Sequence, residues 1–161
     1  MVQTKVLAPL FILMVFTMIL KEVFCEKPSI RSFGIILDSS MDPMEICIVA
    51  RTNKMLTDYA EALNNAGIRS YEIKRSKTDD RHMPGVRLAT MHRVKGLEFT
   101  CVFVVGMTKT AMPLKSAIRS SDPVSKEEAI NAERCLLYVA LTRAKKAAYV
   151  MAYGQISEFI Q

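Results

Sequence analysis

Three short polar clusters stand where apolar runs begin or end, and their residue types are those that handle phosphate. Arg51 closes the run ICIVA and opens ARTN. Thr90, His92 and Lys95 lie in TMHRVKGLEF before Gly96, with Glu98 after it, and Arg143 follows an apolar stretch in ERCLLYVALTRAKK. A guanidinium is planar, always protonated and offers parallel N–H donors. It therefore stabilises the charge that develops on a transferring phosphoryl group better than an ammonium does. Glycine at 96 lacks the Cβ that would keep a phosphate away from the backbone. Each residue also has an ordinary reading. Arg51 would serve as a surface arginine at a strand end, Glu98 and Lys95 as a solvated ion pair, and Arg143, with Lys145 and Lys146, as positive charge complementing a helix C-terminus. His92 would equally be a satisfied strand-end histidine, and His82, in a polar loop, a solvated one. The order in which the clusters follow one another favours chemistry, with all of them aimed at one shared cleft.

Residues so placed need a scaffold of strand ends. ICIVA, Ile46 to Ala50, is rich in β-branched residues and reads as a buried strand. Thr52 or Asn53 then caps a helix whose face is Leu56, Tyr59, Ala60 and Leu63, and Gly67 ends it where a left-handed residue is cheapest. Further strands are expected at Ser70 to Lys74, Val86 to His92, Phe99 to Met107 and Ala147 to Tyr153, with a polar loop from Arg75 to Gly85. A long helix is expected from Lys126 to Ala140, since Ser125 and Glu128 have capping-box spacing, and a helical turn closes Ile156 to Ile160. Strands alternating with helices predict an α/β fold whose mostly parallel sheet is flanked by helices on both faces. Its ligands are expected at the carboxyl ends of the strands.

The 161 residues suffice for one ordinary core and not for two full motor domains. A net charge of +6 favours polyanionic partners. Cys25, Cys47, Cys101 and Cys135 form no CxxC pair, so neither a zinc site nor a disulfide framework is readable, and a reducing cytoplasm fits. Cys47 and Cys101 read as small buried hydrophobes. Residues 1–25 contain the apolar run VLAPLFILMVFTMIL, Val6 to Leu20, which falls short of the roughly 20 residues that span a bilayer. It is open to three readings: a secretory signal, a membrane anchor giving membrane contact, or a helix that packs on something outside this chain. Pro, Gly and Ser punctuation makes residues 26–43 a linker, and the compact domain is expected over 44–161.

TMHRVKGLEFTCVFVVGM resembles motif V of the superfamily 1 DNA helicases of the UvrD, Rep and PcrA group, and AERCLLYVALTRAKKAAYVMAY resembles their motif VI. ICIVARTNKMLTDYAEALNNAGI is similar to motif IV and the helix after it. The resemblance covers roughly Met44 to Gly154 and implies the second, C-terminal RecA-like domain of such a motor, a P-loop NTPase-type fold. It further implies that Arg51 and Arg143 reach the γ-phosphate of ATP, with Arg143 as the catalytic arginine finger. Glu98 then contacts the ribose, Gly96 lies near the phosphates, and Thr90, His92 and Lys95 face single-stranded or partly duplex DNA. Translocation from 3′ to 5′ is implied by the same wording. The chain has no G-x-x-x-x-G-K-[ST] and no paired acidic box after a strand. ATP and Mg2+ would therefore be held mainly by an N-terminal RecA-like domain, in cis or in trans. UvrD-like enzymes carry a large accessory domain between motifs IV and V, where only Arg75 to Gly85 stands here. An alternative is a non-catalytic nucleic-acid-binding or regulatory module that keeps the fold and the basic face.

Overall fold

The computed structural model describes residues 20–24, 41–74 and 79–160. Its strands are β1 (Leu20–Phe24), β2 (Ile46–Ala50), β3 (Ser70–Glu72), β4 (Val86–Thr90), β5 (Phe99–Val104) and β6 (Ala144–Met151). Two α-helices, α1 (Asn53–Asn65) and α2 (Pro123–Leu141), accompany them. The strands form one sheet in the order β1-β6-β5-β2-β4-β3, and each neighbouring pair is parallel. This is the helix-flanked parallel α/β architecture expected from the alternation of elements.

Both faces of the sheet are covered, which is why its central strands are apolar throughout rather than at alternate positions. Cys47 and Val49 of β2 join Val102 and Val104 of β5 and Leu137, Ala140 and Leu141 of α2 in one core. Ile46, Ile48 and Ala50 point the other way, joining Cys101, Phe103, Leu56 and Leu63 in a second core under α1. Cys47 and Cys101 are buried, as expected, and burial pushes the Cys47 thiol pKa up.

Local chemistry sets the helix ends. Thr52 caps α1, its hydroxyl accepting from the Met55 N–H at 3.4 Å. Gly67, at φ +73°, ends the turn that follows, a conformation closed to most side chains. Helix α2 begins earlier than expected. Asp122, not Ser125, is its cap, accepting from the Ser125 N–H at 2.8 Å, and Pro123 occupies the first turn, where its missing N–H costs nothing. That Asp122 carboxyl is held below its usual range, chiefly by its hydrogen bonds to the Ser125 side chain and backbone.

Two expectations at the N-terminus change. Leu20 to Phe24, assigned to the apolar leader segment, forms the edge strand β1 beside β6. The remainder of Val6 to Leu20, Cys25 and residues 26–40 of the linker lie outside the described residues. Pro43–Glu45 forms a 3-10 turn capped by Asp42. No helix among the described residues is long and apolar enough to cross a membrane.

Candidate functional site

In a parallel sheet, every residue that follows a strand lies at one edge and every residue that precedes one lies at the other. Arg51 follows β2, and Thr90 and His92 sit at and just after the end of β4, so these belong to the carboxyl edge. Glu98 precedes β5 and Arg143 precedes β6, which puts both at the amino edge. At about 3.3 Å per residue, the strands hold the two groups roughly 15–20 Å apart. The single shared cleft expected from the sequence is therefore replaced by two sites. Arg51 and Arg143 do not converge on one phosphate.

At the amino edge the Phe99 N–H donates to the Arg143 carbonyl at 3.0 Å, which sets Glu98 and Arg143 side by side. Arg143 is half-buried and lightly held. Its Nε donates to the Val139 carbonyl at 3.2 Å, and one terminal nitrogen donates to the Thr142 hydroxyl at 3.3 Å. The Glu98 side chain is 63% exposed, with Lys145 Nζ 3.6 Å away. That partner is Lys145 rather than the Lys95 considered from sequence. Gly96 has φ +83°, and a Cβ there would meet no atom within 4 Å. The glycine thus satisfies a left-handed turn and leaves its outer side open to a ligand. Lys95, also exposed, is carried by the turn that leads from β4 back to β5 and is anchored by buried Met91 and Val94.

At the carboxyl edge a cleft of about 650 Å³ is lined by Asn53, Glu72, Lys74, Thr90, His92 and Arg93, with Leu56 and Ile73 below. Arg93 ties its rim by donating to the Lys74 carbonyl at 2.7 Å. Asn53 and Lys74 were not identified from sequence. Asn53 opens α1 after β2 and Lys74 lies two residues after β3, and only the pairing of β2 and β3 with β4 brings them to Thr90 and His92.

Beside this cleft lies Glu133, a charged group the sequence reading quoted without a role. Its carboxylate, 2% exposed, takes both arms of the Arg51 fork, Nε to Oε2 at 2.9 Å and Nη2 to Oε1 at 2.6 Å. It also accepts the Leu114 N–H at 3.1 Å. Burial works to raise its pKa. The Arg51 hydrogen bonds, the Leu114 N–H and the positive charges of Arg51 and His92 together outweigh that and hold it below the ordinary carboxylate value. A signal for Glu133 was present in the sequence. It falls on the stripe Glu133, Leu137, Ala140, Leu141 that α2 buries, and a buried carboxylate needs a cationic partner.

Residues 44–155 match the family of UvrD-like helicase C-terminal domains. The chain belongs to that family. It is 37% identical over 111 residues to "Putative ATP-dependent DNA helicase YjcD" of Bacillus subtilis (strain 168), covering 69% of this chain and 14% of that protein. Over 66 residues it is 47% identical to the ATP-dependent DNA helicase PcrA of Staphylococcus epidermidis, covering 41% of this chain and 8% of PcrA. The chain thus spans a small part of these curated relatives. Among solved structures it is similar to the C-terminal domain of a possible DNA helicase from Lactobacillus plantarum WCFS1. The TM-score is 0.59 at 20% identity, covering 88% of this chain and 76% of that one. This likeness supports the fold, which is the RecA-like α/β sheet implied by the motif resemblance.

Proposed function

We propose that this UvrD-like domain works as the second motor domain of an ATP-dependent DNA helicase, completing from its amino edge a nucleotide site built on an N-terminal RecA-like domain. One observation carries the reading: the Phe99 to Arg143 backbone hydrogen bond brings the residue of an exposed carboxylate, Glu98, and that of a guanidinium held only by neutral acceptors, Arg143, to neighbouring strand starts at one edge of the sheet. In this reading Arg143 is the arginine finger, Glu98 accepts from the ribose hydroxyls and the open side of Gly96 lies near the phosphates. ATP supplies the phosphoryl group. The chain has no G-x-x-x-x-G-K-[ST] and no paired acidic box, so Mg2+ would be held mainly by the partner domain. Arg51, engaged by Glu133 at the other edge, is withdrawn from the γ-phosphate and assigned to positioning.

Thr90 and His92, in the carboxyl-edge cleft, and Lys95 on the turn after it, form part of a single-strand path. Phosphate contacts of this kind carry no base information, so binding is expected to be indifferent to sequence. The chain alone is expected neither to bind ATP tightly nor to hydrolyse it. Mixed with an N-terminal motor domain that carries the P-loop, it should show DNA-stimulated phosphate release. Robust hydrolysis by this chain alone, with contaminating ATPases excluded, would overturn the half-site reading.

A further inference from the structure

Helix α2 spans the distance between the two edges. Glu133 meets Arg51 at the carboxyl edge, and the helix ends at Leu141, two residues before Arg143 at the amino edge. Eight residues of helix follow Glu133, about 12 Å of rigid rod, and Arg143 lies two residues beyond its end. Of the first ten residues of α2, Pro123 to Ala132, all but the half-buried Ala129 and Ile130 are open to solvent, whereas Leu137, Ala140 and Leu141 bury the C-terminal half. Apolar contacts of that kind are non-directional and permit the helix to rotate or slide by small amounts. A bidentate guanidinium–carboxylate contact does not, because both N–H vectors must meet both oxygens. The Leu114 N–H on Glu133 Oε2 adds a third, independent direction.

Arg51 is in turn bonded along the chain to the cleft. The next two residues are Thr52, the cap of α1, and Asn53, which lines the cleft with Thr90 and His92. At the far end, Arg143 rests its Nε on the Val139 carbonyl in the last turn of α2, so any change in the helix axis carries the guanidinium with it.

We infer that Arg51 and Glu133 are positioning residues that set the axial and rotational position of α2, and through it the placement of the Arg143 guanidinium, according to what occupies the carboxyl-edge cleft. The inference rests on the proposed DNA path and on the proposed role of Arg143. It assigns to the buried ion pair the task of linking them. Well-packed apolar side chains can replace a buried ion pair with little loss of stability, but they do not reproduce its directional hold.

The test uses the full chain labelled with 15N, with oligo(dT) as the probe, followed by NMR at the Thr90 and His92 amides and the Arg143 Nε–H. In the native chain, oligo(dT) should move all three signals. In the double variant Arg51→Met with Glu133→Met the two amides should still move while the Arg143 signal stays still. A shift of Arg143 undiminished in that variant overturns the inference. So does a native chain in which the amides respond and Arg143 does not. Failure of the amides themselves to respond would instead remove the DNA path and this inference with it. Should the double variant lose its fold, Arg51→Lys decides. It keeps the charge but not the fork, and is expected to lose most of the Arg143 response; full retention overturns the inference.

Discussion

The two edges of the sheet each carry an arginine, and they are held in opposite ways. Arg51 is 11% exposed and is spent on Glu133, with two short hydrogen bonds to one buried carboxylate. Arg143 is half-buried and rests on a carbonyl and a hydroxyl of its own helix end at 3.2 and 3.3 Å. Both acceptors are neutral, so an incoming phosphate would replace two bonds to dipoles with bonds between opposite charges. Releasing Arg51 would instead strand a carboxylate in the protein interior. The comparison teaches that an arginine at an element end is available for chemistry only when the fold has not already supplied its counter-ion. By that measure Arg51 is committed to the framework beneath the cleft, whereas Arg143 has no carboxylate partner to give up.

In a preparation complemented with a P-loop motor domain, Arg143→Lys should lower DNA-stimulated ATP hydrolysis by about 10³-fold, since a point charge does not replace the planar fork. Thermal unfolding of the isolated variant should be unchanged within about 0.5 kcal/mol, the ordinary range for substitutions at such positions. A loss of only a few-fold would return Arg143 to the role of a helix-end charge.

Next in size is the architectural arginine. Glu133→Ala leaves the Arg51 guanidinium without its partner and should destabilise the fold by about 3–5 kcal/mol in urea titration, whereas the double Met replacement should fall within roughly 1–2 kcal/mol of the native chain. Equal losses in the two variants would mean that packing volume, and not the unpaired charge, sets the cost.

The pH dependence sharpens the same contrast. Folding lowers the Glu133 pKa below its ordinary value of 4.5, so the carboxylate's contribution to stability is fully present above that value. It is lost as pH falls through the lower, folded-state pKa. Acid unfolding monitored by circular dichroism should therefore be steeper below 4.5 in the native chain than in the double Met variant. A parallel pair of curves would show that Glu133 does not titrate with unfolding.

Smaller again is the change expected along the proposed strand path. Lys95→Ala should reduce the slope of log affinity for oligo(dT) against log salt by about 0.7, the amount expected for one lost phosphate contact on a single strand. Lys74, which lines the cleft, should show a similar reduction. Lys126, exposed in the first turn of α2 and away from the cleft lining, is the proper control and should leave the slope unaltered. Equal changes for all three would mean that the +6 charge acts diffusely and that no strand path exists.

Much of the molecule was determined by local sequence. The unbroken apolar runs at Ile46–Ala50 and Phe99–Val104 required strands covered on both faces, and the spacing of Leu56 and Leu63 required a helix with one buried face. Gly67 marked a helix end, and the motif V and VI wording marked the family. These features depend on periodicity, caps and short-range order, which a chain carries wherever it is placed. Tertiary structure alone decided which charges share a site. Arg51 lies 82 positions from Glu133, and Lys74 reaches the cleft because β3 pairs in parallel with β4. Parallel pairing also separated Arg51, which follows a strand, from Glu98 and Arg143, which precede one. The physical reason is that local pattern specifies which face of an element is buried, whereas the edge a residue faces and the counter-ion it meets are set by the direction and order in which distant strands dock.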